Sequence, residues 1–307
     1  MEKIDSTLLA EISDLHDIPQ GAYNIRKNGQ LLARNCVTGI TINTKQDKPG
    51  IDIIIADNIQ KQSVHIPVIV TEQGLNDLVY NDFYIGKNCD VLIVAGCGVH
   101  NAGTQKSGHD GIHTFYIGEN SKLRYIEKHL GTGNSEVDKI LNPTTVVHLG
   151  KNAQMKMETL QLGGVSRAER KTTAILDDDA VLEINESILT TDSQTANTRF
   201  DVDLNGKNSR VNVVSRSVAK DDSKQAFISS INGNNESFGH VECDAIVMDR
   251  AQVVSTPALQ NTDANANLTH EAAIGKIAGE QLIKLQTLGL TKEQAEDVII
   301  KAFLRKI

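Results

Sequence analysis

Gly86-Lys87-Asn88-Cys89-Asp90-Val91-Leu92-Ile93-Val94 is the stretch whose reading decides the fold. A turn phrase, Gly-Lys/Glu-Asn, is followed by a small residue and then an apolar run. The phrase returns at Gly118-Glu119-Asn120-Ser121 and Gly150-Lys151-Asn152-Ala153. A degenerate copy is Asp177-Asp178-Asp179-Ala180, and a clear one is Gly206-Lys207-Asn208-Ser209. Their starts lie 32, 32, 27 and 29 residues apart. Gly and Asn tolerate positive φ, so the phrase closes a tight turn. The apolar alternation behind it has the period of a strand. One such unit cannot bury its own apolar face, so the units must stack. Strand-rich units of this length, without helical patterns between them, predict a mainly β parallel solenoid. The competing reading is a β-sandwich, which needs hairpin turns about every 8–12 residues. The chain shows fewer turn signals than that.

Working outward, residues 85–268 form the predicted β-helix core. Residues 1–84 read as an entry segment or first strands, with strands over 50–55 and 63–70 and a short helix over 75–79. Residues 269–307 are predicted to be helical. Ile274, Ile277, Ala278, Leu282, Leu285 and Leu288 fall on one face at helical spacing. Gly289 supplies a stop, and Thr291 with Gln294 forms a capping box. A second helix carries Ala295, Val298, Ile299, Ala302 and Phe303 on its apolar side. This two-helix segment either closes the open end of the core or offers a docking face.

Composition bounds the function classes. Of 307 residues, 39% are hydrophobic, enough for a real core, while aromatics are 4% and Trp is absent, so the core should be aliphatic. Lys and Arg number 31 against 39 Asp and Glu, and the net charge of −8 argues against a general nucleic-acid or anionic-membrane binder. No apolar run is long enough to span a bilayer. The N-terminal stretch is amphipathic and acidic, unlike a secretory signal. Cysteines at 36, 89, 97 and 243 are too sparse for a disulfide framework. The expectation is a soluble cytoplasmic chain with free thiols.

Several constellations could carry chemistry. Cys97, His100, His109 and His113 combine thiolate and imidazole at Cys-x2-His-x8-His-x3-His spacing, which suits zinc, iron or copper. The plain alternative is a Gly-rich loop whose histidines bond to backbone. No Gly-x4-Gly-Lys-Ser/Thr is present, so nucleotide-driven work requires another subunit. No Gly-x-Ser-x-Gly elbow is present either. Acidic groups at Asp177–Asp179 and at Asp201 and Asp203 allow a β-helix enzyme acting on a glycan with paired carboxylates. Strand alternation puts Cys243 on one face with Ala245 and Val247, and His240, Glu242 and Asp244 on the other. As a lone thiol, Cys243 would ordinarily be a small core residue. His270 and Glu271 read as N-terminal residues of the helical region, favoured there by the helix dipole.

Asn208–Lys220, Gly239–Met248 and Thr269–Leu282 together resemble the SufB/SufD family of iron–sulfur assembly proteins. The stretch Leu288-Gly289-Leu290-Thr291-Lys292-Glu293-Gln294-Ala295, leading to Phe303, fits as well. The likeness runs over roughly residues 85–307 and is tightest from 206 on. It is closest in kind to the short, archaeal and anaerobe-type branch.

The resemblance implies a right-handed parallel β-helix with a helical C-terminal segment. It implies a homodimer through β-helix surfaces and an ABC-type ATPase at the C-terminal helices. It further implies a non-enzymatic scaffold for a transient iron–sulfur cluster, taking sulfur from a donor and serving apo-protein recipients. A structural partner subunit without a cluster is the remaining alternative. By the same likeness Cys243 matches the sulfur-accepting or cluster-building cysteine. Glu271 matches a SufB-like carboxylate, and His270 the histidine that SufD-like chains contribute across the dimer. Thr269 stands where SufB-like chains usually carry another Glu.

Overall fold

The computed structural model describes residues 3–13 and 21–304. Helix α1 (Lys3–Ser13) precedes β1 (Ala22–Lys27), β2 (Gln30–Asn35), β3 (Ile40–Thr44) and β4 (Gly50–Ile55). The coil continues through β5 (Gln60–Val70), β6 (Asn76–Ile85), β7 (Asp90–Asn101), β8 (Ser107–Ile117) and β9 (Lys122–Gly133). Next come β10 (Lys139–Leu141), β11 (Thr144–Leu149), β12 (Gln154–Gln161), β13 (Arg167–Leu176) and β14 (Val181–Thr190). They are followed by β15 (Thr195–Leu204), β16 (Ser209–Ala219), β17 (Lys224–Gly233), β18 (Ser237–Val247), β19 (Gln252–Asn261) and β20 (Asn267–Gly275). Helices α2 (Gly279–Thr287) and α3 (Lys292–Leu304) end the described chain.

The strands stack into two facing sheets, making a parallel β-solenoid of about eight turns. The first sheet runs β2-β1-β5-β7-β9-β12-β14-β16-β18-β20. The second runs β19-β17-β15-β13-β10-β8-β6-β4-β3, with β11 also between β13 and β8. Coil pairs are parallel. Among the described strands only β1/β2 and β3/β4, at the N-terminal end, pair antiparallel. Register follows the repeat lengths: Val91 pairs with Leu123, and Val181 with Arg210.

The turn phrase divides its labour in a way the residue types alone did not show. Asn58, Asn88, Asn120, Asn152, Asp179 and Asn208 hold the positive φ, between 56° and 65°. Their side chains form a ladder from coil to coil, for instance Asn152 Nδ2 to Asn120 Oδ1 at 2.8 Å. The glycines serve close approach instead. A Cβ at Gly118 would come within 2.7 Å of the Gly86 carbonyl carbon.

Between the sheets Ile, Val and Leu fill most of the core, as the composition implied. Aromatics nonetheless occupy its middle: Phe83 stacks on Phe115 at 4.3 Å, and Tyr125 packs edge-on to Phe115. Each fully buried large side chain contributes roughly 1.5–3 kcal/mol of transfer free energy. Outside, α1 lays Leu8, Leu9 and Ile12 on the first sheet over β5, β7 and β9. Gly98 makes room there: a Cβ on it would lie 3.1 Å from Leu8 Cδ2.

Two element assignments differ from expectation. Residues 76–79 belong to strand β6, not to a helix, because Val79 must face the core between its neighbours in the stack. Thr269, His270 and Glu271 lie in strand β20, which pairs with β18. The first C-terminal helix begins only at Gly279. Leu268, His270, Ala272 and Ile274 alternate at period two, whereas Ile274, Ile277 and Ala278 follow helical spacing, and the free edge of β18 decides where the strand ends. The Gly289 stop (φ 96°) and the Thr291–Gln294 capping box form as expected. The helices do not close the end of the coil. Helix α3 packs on the outer face over β16, burying Ala295 and Ile300, and Leu304 O accepts a bond from Ser187 Oγ. Helix α2 has no buried residue.

Candidate functional site

The last coil is the open one. Beyond β20 and β19 nothing described covers the interior. Val254, Leu259 and Ile274 are exposed there. On β18, alternation puts Val241, Cys243 and Ala245 inside and His240, Glu242 and Asp244 outside. Cys243 is 2% exposed. Burial pushes its thiol pKa up to about 11, against a hydrogen bond to Ser255 that lowers it.

On β20 the register places His270 beside Val241, Glu271 beside Glu242 and Ala272 beside Cys243. His270 therefore shares the inner face with Cys243, one rung across and two residues along. Strand geometry makes that roughly 8 Å between backbones. Its Nε2 is buried and has no hydrogen-bond partner. Burial, then His240, lowers its pKa. Glu271 points the other way. It lies exposed on the outer face beside Glu242 and Asp244, whose carboxyl is raised by burial and by Glu242. Within one chain Cys243 and His270 come together, and Glu271 stands across the sheet from them.

The group at Cys97, His100, His109 and His113 divides similarly. Cys97, His109 and His113 face inward around a cavity of about 20 Å³, which His129 and Glu127 also line. His100 faces out and meets Thr132 Oγ1 at 3.0 Å. His113 is held at both ring nitrogens, by Tyr125 OH (2.8 Å) and Asn81 (3.2 Å). His109 is held by Asp77 at 3.2 Å. The four-residue metal group expected from spacing is therefore not assembled. Among the described residues no three His, Cys, Asp or Glu side chains stand where one metal ion could join them.

Between the two places runs a buried polar row that the sequence reading missed. Glu127 bonds Arg170, and Arg170 Nε lies 3.7 Å from Glu186. Glu186 accepts bonds from Ser215 Oγ (2.7 Å) and Thr198 Oγ1 (3.0 Å). Ser215 is the rung neighbour of Cys243. Burial alone would raise Glu127, but Arg170 and then His129 hold it well below the ordinary carboxylate range. Glu186 stays raised by burial despite Arg170. One signal was available: Leu123, Tyr125, Glu127 and His129 share an alternation phase, so a strand that is inward at Leu123 must bury a charge.

Four of the carboxylates offered for glycan chemistry are otherwise engaged, Asp178 by accepting from Lys207 N. Asp179 holds a turn at positive φ, Asp201 pairs with Arg199, and Asp203 accepts from Asn232.

The family model described as SUF system FeS cluster assembly, SufBD core domain, matches residues 80–303. The chain belongs to the SufBD family. It is 29% identical over 282 residues to an iron–sulfur cluster assembly SufBD family protein of Pyrococcus horikoshii, covering 90% of this chain and 84% of that one. A SufBD family protein of Methanocaldococcus jannaschii is 27% identical over 246 residues, 80% of this chain and 77% of its own. One of Archaeoglobus fulgidus is 26% identical over 247 residues, 80% and 61%. Membership of the SufBD family thus covers the coil from β6 to α3 and links the chain to iron–sulfur cluster assembly. Among the described residues no helix is long and apolar enough to cross a membrane.

Proposed function

We propose that this SufBD chain is a cytoplasmic, non-enzymatic scaffold on which an iron–sulfur cluster is put together before transfer to apo-proteins. The observation that carries the reading is the pairing of Cys243 with an unpartnered His270 Nε2 on the inner face of the open coil. A thiolate is a soft ligand for iron and an acceptor of sulfur, and a neutral imidazole completes a weak donor set. Few ligands make a cargo easy to release. The thiol is nearly all protonated at neutral pH, and bound metal displaces that proton.

The scaffold works as a homodimer joined at the open ends. There both sheets present unpaired edges, and Val254, Leu259 and Ile274 expose apolar surface. Such a seam brings Cys243 of each protomer toward the partner copy, and it is the place where Glu271 of the other chain could enter the donor set. An ABC-type ATPase docks on the C-terminal helices. That assignment is supported by Ile283 standing exposed on α2 and Leu288 at its C-cap, and by the missing P-loop.

Anaerobic reconstitution with ferrous iron and sulfide tests the scaffold. Wild type develops a charge-transfer band, which Cys243→Ser abolishes and His270→Ala weakens. Equal bands in all three would remove Cys243 from the site. The burial of Cys243 favours a second reading, a structural subunit without a cluster, which predicts no band in any of the three.

A further inference from the structure

Two serine hydroxyls face Cys243 and His270 across the interior of the open coil. Contacts deeper in the coil show how the inner columns of the two sheets meet. Tyr125 OH meets His113 at 2.8 Å, and Thr198 Oγ1 meets Glu186 at 3.0 Å. The register carries the Tyr125 column along the first sheet to Val241 and His270. It carries the His113 column along the second sheet to Ser229 and Pro257. Likewise the Glu186 column reaches Ser215 and Cys243, and the Thr198 column reaches Phe227 and Ser255. Ser229 is therefore opposite His270, and Ser255 is opposite Cys243. Each pair has one member on the last rung and one on the rung beneath it.

The hydroxyls differ in their engagement. Ser229 is 0% exposed, and its Oγ is buried without a hydrogen-bond partner. Ser255 Oγ is also buried and faces the Cys243 thiol. One rung deeper, Ser215 and Thr198 both donate to Glu186 and are already used. A buried donor without an acceptor destabilises the fold that contains it. Here that donor lies across from the orphaned Nε2 of His270. Iron satisfies a ring nitrogen but accepts no hydrogen bond. Sulfide and thiolate do accept one, and bonds from ionised acceptors are the stronger kind.

We propose that Ser229 and Ser255 are donors to the sulfur of the cargo, Ser255 to the Cys243 thiolate and Ser229 to an inorganic sulfide held beside His270. The proposal rests on the scaffold reading above and adds to it the groups that hold sulfur, where Cys243 and His270 hold iron. Hydrogen bonds to the sulfurs steady a cluster that has few protein ligands and set its electronic properties.

The test pairs stability of the empty protein with retention of cargo, using the full chain. In the empty protein Ser229→Ala removes an unpaired hydroxyl, so its urea midpoint should equal or exceed that of wild type. After anaerobic reconstitution with ferrous iron and sulfide, the same variant should lose iron to a chelator about fivefold faster than wild type. Ser255→Ala should move the charge-transfer band to longer wavelength, because a thiolate without its hydrogen bond holds its electrons less tightly. Ser255→Thr, which keeps the hydroxyl, should restore the band. Serines with a purely structural role give the reverse pattern, a lower urea midpoint with the cargo unchanged. A lower midpoint for Ser229→Ala overturns the proposal, and so do iron loss and band position equal to wild type in the two alanine variants. Either result leaves the scaffold reading standing, whereas the lack of any band in wild type overturns both.

Discussion

His270 and Cys243 occupy the same inner face of the last two rungs, and the imidazole's Nε2 is buried with nothing to bond. A buried ring nitrogen without a partner costs about 1–3 kcal/mol, and a ligand at the open end removes that cost. Glu271, the next residue, cannot join them within one chain because successive strand residues alternate sides.

Thiol reactivity should separate the cysteines. Cys36 is exposed, whereas Cys89, Cys97 and Cys243 are buried. With its pKa near 11, Cys243 holds about 0.1% thiolate at pH 8. Iodoacetamide followed by mass spectrometry should label Cys36 first and Cys243 at least 100-fold more slowly, with the Cys243 rate rising about tenfold per pH unit up to 11. Rapid labelling of Cys243 at pH 8 would contradict the buried geometry.

Acid should destabilise the coil in a definite window. Burial lowers His113 from its ordinary value near 6.5 to about 4. The unfolded chain therefore takes a proton below pH 6.5 that the folded one refuses until about 4. Stability falls across that window by about 3 kcal/mol from this group. His129 shifts in the same direction. Glu127, whose pKa is depressed, adds stability above the ordinary carboxylate range that disappears as pH drops through its folded value. Urea midpoints measured from pH 7 to 4 should fall, and His113→Gln should flatten the slope. A midpoint independent of pH would show that these groups are solvated.

The buried ion pair makes a further prediction. Arg170→Met leaves Glu127 charged in the interior without its guanidinium, costing about 3–5 kcal/mol. Combining it with Glu127→Gln should restore much of that loss in urea unfolding, because the pair and not either residue is what the core tolerates. Additive losses would mean the two groups do not interact.

The turn ladder can be dissected in one coil. Gly118→Ala forces a Cβ into the Gly86 backbone and should cost about 1–3 kcal/mol. Asn120→Gly keeps φ 59° and loses only two exposed ladder bonds, so it should cost at most about 1 kcal/mol, whereas Asn120→Val loses the same bonds and adds about 1–2 kcal/mol of backbone strain. Thermal melts of the three variants give the order. Tolerance of alanine at 118 with sensitivity to glycine at 120 would reverse the roles assigned here.

End-to-end association is tested by charge. Val254→Asp with Ile274→Asp places carboxylates on the exposed rim of the open coil and should convert a dimer to a monomer in light scattering. Unchanged mass would move the seam elsewhere.

Much of the architecture was legible because a solenoid is local in its logic. The Gly-x-Asn phrase, the alternation behind it and the near-constant spacing each report on one coil, and stacking follows from the apolar face a coil cannot hide alone. The Thr291–Gln294 box and Gly289 were legible for the same reason. Residues 76–79 form a strand although Leu75 and Val79 fit either period, and 269–275 form one although the helical spacing from Ile274 onward gives no sign of where the helix begins; in both places the neighbouring strand decides. The site was half legible. The residue types at 243 and 270 could be picked out, but which sides of the sheet they face, and that His100 turns away from Cys97, depended on register.

The amino-acid sequence by itself determined the repeating coil, since the left-handed turn residues and period-two apolar runs act within some thirty residues. Tertiary structure alone decided that Glu127 meets Arg170 43 positions away, that α3 lies along the flank and leaves the last rung bare, and that Cys243 and His270 share an interior. Those outcomes rest on contacts between distant coils, whose energies are set by burial and dielectric and have no counterpart in a linear pattern.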